Sequence, residues 1–439
     1  MPALRIDAAR LSRDLETLAT FGANPDGGID RASYSAADSA ARRWLAERCA
    51  EAGLAIREDG IGNLFIRADP EEGGPPGAPA PIWTGSHLDA VPNGGRFDGA
   101  AGVLAAVEVV RRLHEERLEL ARPVEAVVWS DEEGCYQSLL GSTAVADGIT
   151  TADVQRIVGR DGRTLGRALE ESGRDPGLAP QAKQPKGAAH CYLELHIEQG
   201  ALLEDAGADI GVVTGIVGLA HGQVTFHGRA DHAGTTVMGR RRDALRAAAA
   251  FVLRLPRLPS ETGRDDAVLT CGNLLVAPGA DNIVPGEAVC RLDFRDADSG
   301  GLADLRDAVV AAARECAAEH EATVEFEWDH TAEPVALDAG LQELVAATAD
   351  RLGYTHLTLP SRAGHDAQKI AALAPAGMVF VPSRDGRSHS PDEYTDPEQL
   401  TRGADVLVNV VAELAAAPQA ATTPGRAPAP DQEETDGPA

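Results

Sequence analysis

The stretch from residue 81 to 134 constrains the fold most. PIWTGSHLDAV reads as a strand, PNGGRFDG as a turn and AAGVLAAVEVVRRLHEE as an Ala/Val-rich helix. VEAVVWSDEEG follows as a buried strand of β-branched residues ending in three carboxylates. Strand, turn, helix and strand in that order predict an α/β sheet whose strand ends carry the polar chemistry. Upstream, residues 7–22 and 36–53 show apolar positions at helical spacing. GNLFIR (62–67) reads as a short strand before DPEEGGPPGAPAP, a Gly/Pro loop unsuited to regular structure.

Between about 215 and 330 the pattern changes. VTGIVGLAHGQVTFHGRADHAG alternates with period two, and RRDALRAAAAFVLRL reads as a helix. AVLTCGNLLVAPG and NIVPGEAVCRLDFRDA read as strands, LADLRDAVVAAARECAAEH as a helix and ATVEFEWDH as a closing strand. This is a self-contained α+β unit (215–330) inserted into a larger α/β domain, because α/β patterning resumes at LQELVAATADRLG. The larger domain therefore comprises 1–214 and 331–415, with hinges expected near 214–218 and 327–333. A Pro/Ala-rich acidic stretch, 416–439, reads as a disordered tail. At about 150 residues per domain, a chain of 439 residues accommodates this division.

Lys and Arg number 40 against 68 Asp and Glu, a net charge of −28. Such a surface repels nucleic acid and anionic lipid, and neither is expected as a partner. Six cysteines are scattered without CxxC spacing, which reads as reduced thiols in a cytoplasmic protein. The N-terminal stretch has no apolar signal-like core and no run of apolar residues is long enough to span a bilayer.

Polar residues at the predicted strand ends form a constellation. His87 ends a strand with Asp89 two residues on, an arrangement in which a carboxylate orients a metal-binding imidazole; alone it reads more readily as a satisfied surface or core histidine. Asp98 sits at a helix start, where it could equally serve as an N-cap. Glu132 and Glu133 can divide two tasks, one moving a proton and the other binding a metal. His196 lies on the strand of LELHIEQG and His389 on the loop SHSP after GMVFVPS. Together they make a site for two divalent ions about 3.5–4 Å apart, with Asp98 as the natural bridge. Zinc suits such donors, and manganese or cobalt is tolerated.

GSHLDAVPNGGRFDGAAGVLA, SDEEG, YLELHIEQGALLE, RADHAGTT, NIVPGEAVCRLDFRD, AGHDAQ and GRSHSP resemble the zinc-dependent hydantoinase/carbamoylase family, over about residues 8–415. That family lies within the dinuclear aminoacylase/carboxypeptidase superfamily and includes N-carbamoyl-L-amino-acid hydrolases, β-ureidopropionases and allantoate amidohydrolases. Superfamily peptidases place a carboxylate where this chain has His196. The resemblance implies that Asp98 bridges two metals, with His87 and His196 completing one site and Glu133 and His389 the other. Glu132 would be the general base, and Asp89 would support the ligands. The resemblance further makes the inserted unit a lid and dimerisation domain of a homodimer. His232 would stabilise the tetrahedral oxyanion, reaching across from the other subunit, and Gln199, Asn282, Arg295 and Gly364 would bind substrate. Without the resemblance, Arg295 reads as an ion pair with Asp293 or Asp296, and His221 and His227 as a solvated strand face.

The implied reaction is hydrolysis of a linear C–N bond in an N-carbamoyl or related N-substituted L-amino acid. Allantoate hydrolysis and N-acyl or N-formyl deacylation are alternatives, and a non-catalytic binding protein is the reading from another class. Three departures bear on the substrate. Cys135-Tyr136-Gln137-Ser138 replaces a longer Arg-Phe segment beside the proposed base, GTTVM stands for GATPM, and RRRDAL lacks a proline.

Overall fold

Period-two burial and apolar runs resolve into fifteen strands in the computed structural model, which describes residues 3–68 and 79–416. In chain order they are β1 (Ala55–Glu58), β2 (Leu64–Arg67), β3 (Ile82–His87), β4 (Val124–Trp129) and β5 (Cys191–Ile197). Next come β6 (Ile210–Ile216), β7 (Gly218–His227), β8 (Asp231–His232), β9 (Val268–Ala277) and β10 (Ile283–Val284). The last are β11 (Glu287–Asp296), β12 (Thr323–Ala332), β13 (Val335–Ala336), β14 (His356–Ser361) and β15 (Ala376–Val381). Most of the expected Gly/Pro loop and all of the expected tail beyond 416 lie outside the described residues.

A mixed nine-stranded sheet runs β1-β2-β4-β3-β5-β15-β6-β13, with β14 also paired to β6. Its centre, β4-β3-β5-β15, is parallel throughout. Every residue of these four strands is buried, because helices cover both faces, and that is why they read as almost unbroken apolar runs. Successive side chains sort to opposite faces. Leu193 and Leu195 pack with helices Ala8–Leu18, Ala100–Glu115, Ala339–Leu352 and Pro397–Ala416. Tyr192, Trp83, Trp129 and Phe380 pack with the short helices Leu140–Ala146 and Asp366–Ile370. Four neighbouring parallel strands necessarily present their C-terminal ends along one edge, which is where such sheets bind ligands.

Four antiparallel strands, ordered β12-β7-β11-β9, form a second sheet. Helices Ala244–Arg254 and Ser299–Glu319 cover one face, meeting Ala288, Cys290, Leu292 and Phe294 of β11 in a separate core. Alternation then turns Asp293 and Arg295 to the opposite face. The long alternating run read at 213–234 is cut at Val217, with β6 ending in the large sheet and β7 opening the small one. The passage is tight: a Cβ on Gly218 would meet Leu302 Cδ1 at 2.6 Å and Pro334 Cδ at 2.7 Å. The strands β8 and β10 make a two-stranded ribbon beyond the second sheet. Among the described residues, no helix is long and apolar enough to cross a membrane.

Candidate active site

The edge formed by the four parallel strands gathers the predicted ligands. His87 is the last residue of β3, Glu132 and Glu133 follow β4, His196 lies near the end of β5, and His389 is in the loop beyond β15. Asp98 enters from the turn before helix Ala100–Glu115. It does not cap that helix: Gly99 is the N-cap and no side chain closes it. The two oxygens of Asp98 face opposite ways. Oδ1 lies 3.4 Å from His87 Nε2 and 3.1 Å from His196 Nε2, whereas Oδ2 lies 3.3 Å from His389 Nε2. His389 Nε2 is also 3.5 Å from Glu133 Oε1. Two ligand groups result, His87/Asp98/His196 and Asp98/Glu133/His389, each with its donor atoms within 4.8 Å of one another. Glu132 Oε2 stands 3.7 Å from His87 Nε2, beside both groups.

Supporting residues hold these side chains in place. His87 Nδ1 lies 3.1 Å from the Asp89 main-chain oxygen and 3.6 Å from its carboxylate. The carbonyl is therefore the closer orienting group, and the Asp89 carboxylate instead accepts the backbone N–H of Glu132 and Glu133 at 3.4 and 3.1 Å. His196 Nδ1 is held 2.8 Å from the Ile197 carbonyl, which leaves Nε2 as the ligand atom. Two contributors were not singled out by the sequence. Glu393, 3 % exposed, accepts the N–H groups of Phe97 and Asp98 at 2.8 and 3.0 Å. Ser388 Oγ lies 2.9 Å from both Asp98 Oδ2 and Glu393 Oε2. Gly99 has φ 61°, and a Cβ there would come within 2.4 Å of the His87 ring.

Charge crowding decides the protonation pattern. Burial alone would raise the Asp98 carboxyl, yet its contacts with His196, His389 and His87 hold it well below the usual carboxylate range. Burial pushes Glu132 far above its ordinary value, against the pull of His87 and with help from Glu133, Asp366 and Asp98. Glu133 is pushed up to about 7 by burial and by Asp98. His389 rises to about 9, chiefly through its bond to Asp98. Glu133 Oε1 is buried and makes no hydrogen bond. Imidazoles and carboxylates converging on one bridging group, with such an orphaned oxygen, fit divalent cations.

A cleft of about 710 Å³ opens over these residues and reaches the second sheet at Leu219, His221 and Arg295. Arg295 pairs with Asp293, giving Nε and Nη2 to the two carboxylate oxygens at 3.0 and 3.1 Å, and gives Nη1 to the Arg362 carbonyl at 2.7 Å. Of the two aspartates considered for it, Asp293 is thus the partner, because Asp296 lies on the buried face. His221 Nε2 shares Asp293 at 2.8 Å and lines the cleft, whereas His227 lies near Glu287 and Glu325. Gly364 lines the cleft, and Gln199 does so while giving Nε2 to Asp98 Oδ2 at 2.7 Å. His232 and Asn282 do not border this cleft; they neighbour one another at the β8/β10 ribbon, where the Asn282 carbonyl accepts the Ala233 N–H. His365, buried, lies with its ring centroid 4.5 Å from that of His196.

Fold and site together define a metal-dependent hydrolase of the two-sheet α/β type. Peptidase family M20/M25/M40 matches residues 83–413, and the chain belongs to that family. It is 38 % identical over 412 residues to an N-carbamoyl-L-amino acid amidohydrolase of Geobacillus stearothermophilus, covering 93 % of this chain and 99 % of that protein. An allantoate amidohydrolase of Bacillus subtilis is 35 % identical over 406 residues, covering 91 % and 96 % respectively. In three dimensions it matches a hydantoinase/carbamoylase family amidase of Burkholderia multivorans with a TM-score of 0.85 and 36 % identity, over 94 % of this chain and 99 % of that one. The resemblance carried by the motifs therefore holds, and the chain is a hydrolase acting on C–N bonds.

Proposed function

We propose that this chain hydrolyses the carbamoyl C–N bond of an N-carbamoyl-L-amino acid or a closely related ureido acid, with two divalent ions held on either side of Asp98. The division of the Asp98 oxygens, Oδ1 towards His87 and His196 and Oδ2 towards His389, carries this reading. Glu133 completes the second ligand group. The donor set suits zinc, and manganese or cobalt as well. Bound ions would supply Lewis-acid activation of the attacking water and the scissile carbonyl.

The remaining work falls to the chain's own side chains. Burial raises the proton affinity of Glu132, which suits its carboxylate to take a proton from water and pass it to the departing nitrogen. Carbamoyl cleavage then releases ammonia, carbon dioxide and the amino acid. Three of the five Arg295 donors are engaged, and a substrate carboxylate takes the others alongside the Gly364 main chain. Gln199 Oε1 is buried with no hydrogen-bond partner and suits a substrate N–H.

His232 Nδ1 accepts the N–H groups of Gly234 and Thr235 at 2.9 and 3.3 Å, so the neutral ring carries its proton on Nε2. That exposed donor matches an oxyanion, and with Asn282 beside it the ribbon would complete the cleft of a partner subunit. Exposed Leu253, Leu274 and Leu275 on the same unit support a homodimer. Six free cysteines support a cytoplasmic setting. The presence of Glu132 and all five ligands disfavours a binding protein without turnover.

The test is product release by the metal-reconstituted protein on N-carbamoyl-L-amino acids, N-carbamoyl-β-alanine, allantoate, and N-formyl and N-acetyl amino acids. Carbamoyl turnover that disappears with Glu132→Gln is the expected result. Turnover confined to allantoate or an acyl compound moves the substrate, and silence throughout contradicts the reading.

A further inference from the structure

One wall of the cleft carries polar groups that the chemistry above leaves unused. The segment after Glu133 folds back over the proposed base: Leu139 N and Ser138 Oγ both donate to the Glu132 carbonyl, at 2.9 and 3.1 Å. The Asp131 carboxylate, at a residue with φ 59°, takes the N–H groups of Cys135, Tyr136 and Gln137 at 2.8, 2.9 and 3.0 Å. This fixes the backbone and leaves Gln137 half-buried on the cleft wall, where its side-chain amide makes no hydrogen bond to any described residue. Thr143, on the same wall, has a buried hydroxyl without a partner. Beside it, helix Asp366–Ile370 packs against helix Leu140–Ala146 and contributes Lys369, whose Nζ gives one contact to Asp147 Oδ2 at 3.1 Å and keeps two N–H donors.

A hydrocarbon side chain packed against this wall strips water from these groups and pairs with none of them. A carboxamide or a second ureido group offers a carbonyl to Lys369 and an N–H to Gln137. Sites built to hydrogen-bond a substrate discriminate strongly against analogues that lack the partner group. We propose that Gln137, Thr143 and Lys369 form a specificity pocket for a polar, hydrogen-bonding arm of the substrate, in preference to a hydrocarbon arm of the same shape. The proposal rests on the ureido-acid reading and names which ureido acids the site takes.

N-carbamoyl-L-asparagine and N-carbamoyl-L-leucine are near-isosteric and isolate this choice. Two measurements decide it: kcat/KM with the metal-reconstituted full chain, and calorimetric affinity of each compound for the metal-loaded Glu132→Gln variant. The asparagine compound is expected to lead by about tenfold or more in both. In a Gln137→Leu, Lys369→Met double variant the lead should shrink to within about threefold, because the unpaired groups are gone. Should that variant not fold, Lys369→Met alone carries the comparison and should narrow the ratio. Equal or better binding of the leucine compound by the unaltered pocket overturns the proposal, as does a ratio that the substitutions leave in place. Absent turnover with a preserved binding preference counts against the catalytic reading and leaves the pocket standing.

Discussion

Glu393 touches neither proposed ion, yet it should control how tightly both are held. Its carboxylate accepts the two N–H groups at Phe97 and Asp98, which fixes the turn that presents Asp98 to three histidines. Glu393→Ala leaves both donors without a partner in a buried turn. Each unsatisfied group costs about 1–3 kcal/mol, so the turn is destabilised by about 2–6 kcal/mol before it relaxes or admits water. If about half of that is felt in the position of Asp98, metal affinity falls about 5- to 140-fold, since about 1.4 kcal/mol is a factor of ten. Both binding steps should weaken together, because each oxygen of Asp98 faces one ligand group. Glu393→Gln keeps one oxygen for the two N–H groups and should stay within about fivefold of the parent. Calorimetric titration of the metal-free protein with zinc measures this, with circular dichroism to establish that the variant is folded. A folded Glu393→Ala protein that binds both ions with undiminished affinity refutes the reasoning.

Other outcomes follow from the same geometry. Asp98→Asn removes one anionic oxygen from between the ligand groups, and metal content by elemental analysis should fall from two ions per chain to one or none, with activity lost. Gly99→Ala drives a methyl group to 2.4 Å from the His87 ring at a backbone φ of 61°, so zinc affinity should drop about tenfold or more in titration. Removing the ions with a chelator should lower the thermal midpoint, and restoring them at about a hundred times Kd should return about 2.7 kcal/mol of stability. An unchanged midpoint in scanning calorimetry contradicts a metal that binds only the folded chain.

Much of the catalytic edge is legible in the sequence because parallel, doubly covered strands must be apolar along their length. The runs around Val124–Trp129 and Cys191–Ile197 therefore mark themselves, and any charged residue at their ends stands out. Asp98 illustrates what one dimension leaves open, since an acid before a helix is as well suited to capping as to metal binding. Only the approach of His87, His196 and His389, from three other segments, settles which way its oxygens face. Glu393 gives no local signal at all: its partners lie 296 and 295 residues away, and nothing in its own loop calls for a buried acid. The helices Leu140–Ala146, Thr151–Arg156 and Leu165–Glu171 are six or seven residues long, too short for a 3.6-residue period to repeat. Arg295 combines both cases. Its strand and face follow from alternation, while its bidentate hold on Asp293 and its place over the cleft come from packing of the second sheet against the first.

In the proposed site Asp98 lies between two divalent ions. Crystals of the zinc-reconstituted protein, measured on both sides of the zinc absorption edge, test it most directly. Two anomalous peaks about 3.5–4 Å apart are expected, one among His87, His196 and Asp98 and the other among Asp98, Glu133 and His389. An active, fully loaded protein showing a single peak, or peaks away from Asp98, would contradict this arrangement.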